Sequence, residues 1–576
     1  MQNISKELSI NQSVIQNQLQ NCDDILLRPM KLGRFLTVDC FLIYIETAVS
    51  NIMLEDSVIG KMLNHLKEAD DAEIYEEISK NSLGVSDTKE LASIEEAMAA
   101  MLAGNAVLFI DGYDKAIKIG SKGYPGAGVL RAESEKVLRG SKEAFSESVK
   151  VNSALIRKRV RDTRLKVCEK MIGRYSGTMT ALLYMENLVY PPVLEEIKQR
   201  MKSFETDDLA DGGVLEHLTA DTWYSPFPQY QATERPDRAA MAVLAGQVVI
   251  LTDNSPEALI LPTTCNSLFQ TSDDYYRHFA IVSFLRLIRY LSAFLAISLP
   301  GLYLAATNFH TQILPGNLIF SLAEARAGVP FPSIIEVLFL ELSFELLREA
   351  GLRMPGPIGN TIGIVGGLIV GQAAVSANLV SPIVVVIVAL TALGSFSIPN
   401  EELSESFRLL KYGMIVLCAC FGVLGLLFGW FLLIVHLAGL KSFGISYLAP
   451  YGGETVESGV GLKDSIVRWP SRSLTKRPIF ARKENRRKMS VNPGEEDGRK
   501  MDGNAGEGNS QKMGGNAGGE DFQKMDGNAG EENCRNKSGN PEGEDFQKMD
   551  GNAGDRNYRN KNGNAGKEDC DVSRKR

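Results

Sequence analysis

Residues 359–377, GNTIGIVGGLIVGQAAVSA, place glycine at 359, 363, 367 and 371 in a run without one charged side chain. Glycine is a poor helix former in water. In lipid, where packing rather than hydrophobicity drives helix association, small residues let backbones approach closely. At about 100° of turn per residue, four-residue steps trace one slowly wrapping face. Gly359, Gly363, Gly367 and Gly371 therefore read as a bare helix-packing face, within one chain or between copies. The opposite face carries Thr361, Val365, Leu368, Ile369, Gln372 and Ser376. Its order, polar then apolar then polar, suits a pore lining with a hydrophobic constriction of Val365, Leu368 and Ile369 and a polar ring at Gln372. The alternative is that this face meets another helix.

Four more apolar segments surround it, at 284–306, 333–350, 381–398 and 413–438. The first is long enough for a hydrocarbon core of about 30 Å, and 413–438 reads as one span, the most apolar of the set. Segment 333–350 instead carries Glu341, Glu345 and Glu349 at helical spacing with Arg348 beside them. Those acids suit the acidic vestibule of a cation pathway, or an interfacial helix with solvated carboxylates. Arg277 precedes the first span, Arg286 and Arg289 lie at its entry side, and a basic run from Arg468 to Lys488 follows the last. The excess of positive charge puts both ends of the chain on the cytosolic side. That needs an even number of crossings from five segments, and 333–350 is the expected exception.

The mean hydropathy of -0.07 averages unlike regions. The expected architecture is an α/β cytosolic N-terminal domain of two subdomains, an α-helical transmembrane domain and a disordered repeat tail. Residues 1–85 read as a polar helical subdomain, 86–278 as an α/β subdomain, 279–450 as the transmembrane domain, and 451–576 as a basic linker and tail. LASIEEAMAAMLAG, from Leu91, has helical periodicity and a glycine stop, and RPDRAAMAVLAG, from Arg235, repeats that logic with proline in its first turn. NAVLFIDGYDKAIKIG and QVVILTDNSPEALILP each read as two strands joined by a turn. In the tail, EDFQKMDGNAG occurs at 520–530 and again at 544–554, with too few large apolar residues to offset chain entropy.

Several function classes are excluded. No phosphate-binding loop, dinucleotide fingerprint, nucleophile elbow or zinc-protease motif occurs, so the chain reads as a non-enzyme without a cofactor. Eight cysteines without C-x-x-C spacing speak against a metal site, and a net charge of -8 spread over the chain offers no nucleic-acid surface. In TERPDR (233–238), Glu234, Arg235, Asp237 and Arg238 form a candidate subunit interface or a coupling element towards the membrane. The plainer reading is a helix start.

Long blocks in order, including PFPQYQATERPDRAAMAVLAGQVVILTDNSPEALILP (226–262), TSDDYYRHF (271–279), LPGNLIFSLAEARAGVPFPSIIEVLFLELSFELLREAG (314–351), PGPIGNTIGIVGGLIVGQAAVSANLVSP (355–382) and KSFGISYLAP (441–450), resemble the GerA family, spore germination proteins that form the A subunit of nutrient germinant receptors. The resemblance runs over about 30–450. It implies a multi-pass protein of the spore inner membrane that works with a transporter-like B subunit and a lipoprotein C subunit. It also implies self-association, as a pentamer, around a nutrient-gated pore releasing monovalent cations. A secondary transporter or permease would need broken helices and an internal repeat in the membrane region, which these uneven segments lack. A paralogue that amplifies germination without sensing nutrients would share the same membrane blocks.

Overall fold

The computed structural model describes residues 2–32, 38–49, 87–124, 131–352, 357–452 and 461–486. The first 261 residues contain two five-stranded antiparallel sheets. One unit runs α1 (Leu8–Gln18), β1 (Ile25–Leu32), β2 (Val38–Ile45), β3 (Thr88–Leu91), α2 (Ile94–Leu102), β4 (Ala106–Ile110) and β5 (Ala116–Ile119). The next runs α3 (Val149–Arg159), β6 (Leu165–Ile172), β7 (Thr178–Met185), α4 (Pro191–Ser203), α5 (Gly212–Thr219), β8 (Gln231–Thr233), α6 (Pro236–Leu244), β9 (Val248–Thr252) and β10 (Ala258–Leu261). The strand orders, β1-β2-β4-β5-β3 and β6-β7-β9-β10-β8, are the same arrangement laid down twice.

The duplication extends to single hydrogen bonds. The Asn11 side chain accepts from the Ser5 N–H at 2.9 Å and donates to the Ser5 carbonyl at 2.6 Å. Asn152 makes the same pair with Ser146, at 2.8 and 2.6 Å. Asp111 Oδ1 accepts the Leu8 N–H at 3.0 Å, as Asp253 Oδ1 accepts that of Val149 at 3.0 Å. In both units the carboxylate after the fourth strand meets the first turn of the leading helix, where the free N–H groups lie.

The two units are joined through the loop after α1. Val167 of β6 donates to the Asn21 carbonyl at 3.0 Å and accepts from the Asp23 N–H at 2.9 Å. Beside this pairing Arg157 binds Asp24 through two nitrogens, at 2.5 and 2.8 Å, both side chains buried. A two-pronged geometry is what lets a buried ion pair offset its desolvation.

One sequence boundary moves. Residues 1–85 are not a helical subdomain: β2 pairs with β4 from Cys40 to Ile43, so the first sheet draws strands from both sides of residue 85. The apolar run CFLIYI within β2 is buried throughout, as a central strand requires. The acidic run EADDAEIYEEI lies outside the described residues.

The helical region follows as α7 (Cys265–Leu268), α8 (Asp273–Tyr276), α9 (Phe279–Asn308), α10 (Gly316–Arg326), α11 (Ser333–Leu352), α12 (Pro357–Ser376), α13 (Pro382–Phe396), α14 (Glu401–Phe421) and α15 (Val423–Gly439). α9 lies against α13, α14 and α15, and α11 against α12, α13 and α14. Among the described residues α9 is the one helix long and apolar enough to cross a membrane; α13 and α15 are apolar but shorter.

Segment 413–438 is not a single span. Gly422 takes φ +61° and ends α14, and α15 folds back on it. A Cβ at Gly425 would overlap the Leu417 carbonyl, and one at Gly429 would lie 2.5 Å from the Met414 sulfur. Glycine is what lets the two backbones come this close. The five sequence segments thus become six helices, and the parity argument that singled out 333–350 loses its premise.

After α15 the chain returns to the sheets. β11 (Lys441–Ser442) and β12 (Ile445–Ser446) bring Phe443 and Ile445 into the core of the second sheet, with Ile479 and Phe480. Residues 461–486 are therefore a packed part of the fold and not a linker, with Ala481 bridging to Val189. The repeat tail lies outside the described residues.

Candidate functional site

On α12 the two described glycines of the stripe are buried against neighbours in the same chain. A Cβ at Gly367 would lie 3.3 Å from the Phe344 ring of α11, and one at Gly371 3.4 Å from Val385 of α13. The facing side carries Ile369, 59% exposed, with Gln372 and Ser376 also exposed. The surroundings of Gly359 and Gly363 and the side chains of Thr361, Val365 and Leu368 lie outside what the structure describes.

The acidic stripe of α11 has a partner that segment-by-segment reading missed. Lys411 of α14 donates to Glu341 at 2.6 Å, both side chains buried. Arg408, one turn earlier on α14, lies 3.4 Å from Glu345, and Arg348 donates to Glu401 at 3.2 Å. The two helices run antiparallel, so i, i+4 acids on one meet i, i+3 bases on the other. Glu341 is thereby withdrawn from any open acidic vestibule, because its charge is neutralised inside the bundle. The signal that could have found this is the Arg408–Lys411 spacing, which matches the acids once α14 is taken as a separate helix. Nearby, Glu336 accepts the Ser381 N–H at 2.8 Å, pinning the start of α13 to α11.

All four charged residues of TERPDR have partners within the chain, and Arg235 and Asp237 are buried. Glu234 accepts the N–H groups of Glu133, at 3.1 Å, and Glu135. Arg235, buried, donates to the carbonyls of Glu135 and Ser141 at 3.2 and 3.0 Å and to Asp237 at 2.8 Å. Asp237 also accepts from the Tyr276 hydroxyl at 2.8 Å. Arg238 pairs with Glu135 and donates to the Gln270 carbonyl at 2.9 Å. Pro236 opens α6 with Arg235 as its N-cap residue, so the helix start is real as well. The segment ties α6 to residues 133–141 and to α8, just ahead of the long helix.

That tie continues into the bundle. Asp274 of α8 accepts from Arg286 at 2.9 Å and from two nitrogens of Arg289 at 2.9 and 3.0 Å. Burial alone would push its carboxyl up; hydrogen bonds and charge from Arg289, then Arg286, hold it below the usual value. Arg286 also donates to Asp464 at 2.9 Å, and Arg468 donates to the Asp274 carbonyl. Read in the sequence only as marks of sidedness, Arg286 and Arg289 bolt the first turns of α9 to α8 and to the returning chain. Among the described residues no group of three His, Cys, Asp or Glu side chains converges on a metal-sized site.

A duplicated α/β unit fastened by buried charge to an apolar helical bundle defines a protein that joins a sheet-built domain to a membrane-type domain. The chain belongs to the GerA family: the family model described as Bacillus/Clostridium GerA spore germination protein matches residues 13–480. It is 34% identical to spore germination protein KA of Bacillus subtilis (strain 168), covering 84% of this chain and 88% of that one. It is 35% identical to spore germination protein A1 of the same organism, over 81% and 94%. The uncharacterized membrane protein YfkQ, also of Bacillus subtilis (strain 168), is 39% identical over 82% and 91%. The crystal structure of the N-terminal domain of the A subunit of the Bacillus megaterium spore germinant receptor GerK3 is 25% identical, with a TM-score of 0.36, covering 45% of this chain and 96% of that one. Membership places the chain among membrane-associated proteins of spore germination.

Proposed function

We propose that the chain is the A subunit of a nutrient germinant receptor in the spore inner membrane, where several copies surround a nutrient-gated path for monovalent cations. Its partners are a transporter-like B subunit, a lipoprotein C subunit and further copies of itself, in a pentameric ring. The observation that carries this reading is the two-sidedness of α12: Gly367 and Gly371 are used up against α11 and α13, while Ile369, Gln372 and Ser376 are left uncovered. An amide in an apolar helix is costly against lipid and cheap against water. A ring of copies would turn that face inward, with Thr361 above, the Val365, Leu368 and Ile369 belt as constriction, and Gln372 and Ser376 beyond. Of the acidic vestibule, Glu345, which lies beside Arg408 but is partly exposed, and Glu349 remain. The buried tie from α6 through α8 to α9 is the mechanical link by which the sheets can bias the bundle.

Conductance of purified, reconstituted oligomers tests the constriction. Val365→Ala is expected to raise resting leak, since a wider apolar belt wets more readily. Unchanged leak and gating would remove Val365 from the pore.

A further inference from the structure

We infer that the chamber between α6, the turn 270–275 and the returning segment 461–480 binds a small organic anion with an apolar body. Its volume is about 570 Å³, within the roughly 300–1,000 Å³ of small-molecule sites. Met241 and Ala242 of α6, Ile260 of β10, and Leu474 and Phe480 of the returning segment give its lining apolar surface. These surfaces suit a flat apolar body.

The rim fixes the charge of the occupant. Arg238, Lys463, Lys476 and Arg477 line the chamber, against a single carboxylate, Asp464. Asp464 is already engaged by Arg286 at 2.9 Å and by the Tyr275 hydroxyl at 3.2 Å. Among the described residues neither Lys463 nor Lys476 has a carboxylate within ion-pair distance. Arg238 is already paired with Glu135, so the excess positive charge of the rim rests on Lys463 and Lys476, and it favours a carboxylate or phosphate head group.

One buried group lacks a partner. Ser272 is 4% exposed, lines the chamber, and its hydroxyl makes no hydrogen bond. Such a hydroxyl costs free energy unless a ligand or water satisfies it. Ser272 lies two residues before Asp274, the acceptor for Arg286 and Arg289. An anion seated here would touch the turn that holds the long helix, whether or not the bundle conducts ions.

The test uses the full chain in lipid nanodiscs and ligand-observed NMR with 4-phenylbutyrate, phenyl phosphate and the neutral 4-phenylbutanol. At least one of the two anions is expected to bind about tenfold more tightly than the alcohol, and which one does so identifies the head group. Ala242→Trp, which fills the chamber, should abolish that binding. The exposed pair Lys463→Glu/Lys476→Glu should weaken it about tenfold, and carries the test alone if Ala242→Trp fails to fold. Absence of binding by both anions, equal binding of the alcohol, or binding unchanged in the lysine double variant would overturn the inference.

Discussion

Lys411 reaches 2.6 Å from Glu341 in a site closed to solvent. Removing one partner of such a pair strands the other charge, at a cost of about 3–5 kcal/mol, whereas replacing both by neutral groups is often close to neutral. Lys411→Met is therefore expected to lower the thermal midpoint in detergent, and Glu341→Gln/Lys411→Met to regain most of it. Equal midpoints in the single and double variants would contradict the pairing. Glu216 of α5 is a different case, a carboxyl that burial pushes up to about 7 from an ordinary 4.5. Between those values the unfolded chain binds fewer protons than the folded one, so this group's contribution to stability falls as pH rises. Glu216→Gln should flatten that part of the pH profile of the midpoint, gaining most on wild type near pH 8; parallel profiles would contradict it. At this scale the sequence showed which residues were charged and on which face, but not their partners. The acids of α11 and the bases of α14 meet only after the chain between them has folded.

Gly422, Gly425 and Gly429 make the α14–α15 hairpin possible, and here element boundaries were least legible. Hydropathy averages over a window and does not register one residue at φ +61°, so an unbroken apolar run passed for one helix. By contrast α2, α6 and the hairpins β4–β5 and β9–β10 were legible, because periodicity, proline in a first turn and glycine at a helix end agree locally. β1 and β2 were missed because β4, which joins their hairpin to the sheet, lies more than sixty residues downstream and polar, helix-favouring neighbours dominate the local pattern. Two glycine substitutions separate close packing from simple propensity. Gly425→Ala should lower the thermal midpoint, because its Cβ would overlap the Leu417 carbonyl. Gly413→Ala on α14 meets nothing within 4 Å, and should raise stability by up to about 1 kcal/mol through helix propensity. Same-sign effects would contradict the folded-back hairpin.

Across the whole molecule, a repeated α/β unit delivers its second copy to the bundle. Glu135 and Arg238 hold α6, Asp237 and Tyr276 join α6 to α8, and Asp274 joins α8 to Arg286 and Arg289 of α9. The family was legible in the sequence because its blocks are long and ordered, while the duplication was legible only as an echo between two helices. The central claim is that the uncovered face of α12 meets water in a conducting assembly. Gln372→Cys in an otherwise cysteine-free chain, reconstituted and treated with a charged thiol reagent while conductance is recorded, tests it most directly. The account predicts rapid modification with block of the current; modification that leaves conductance unchanged would contradict it.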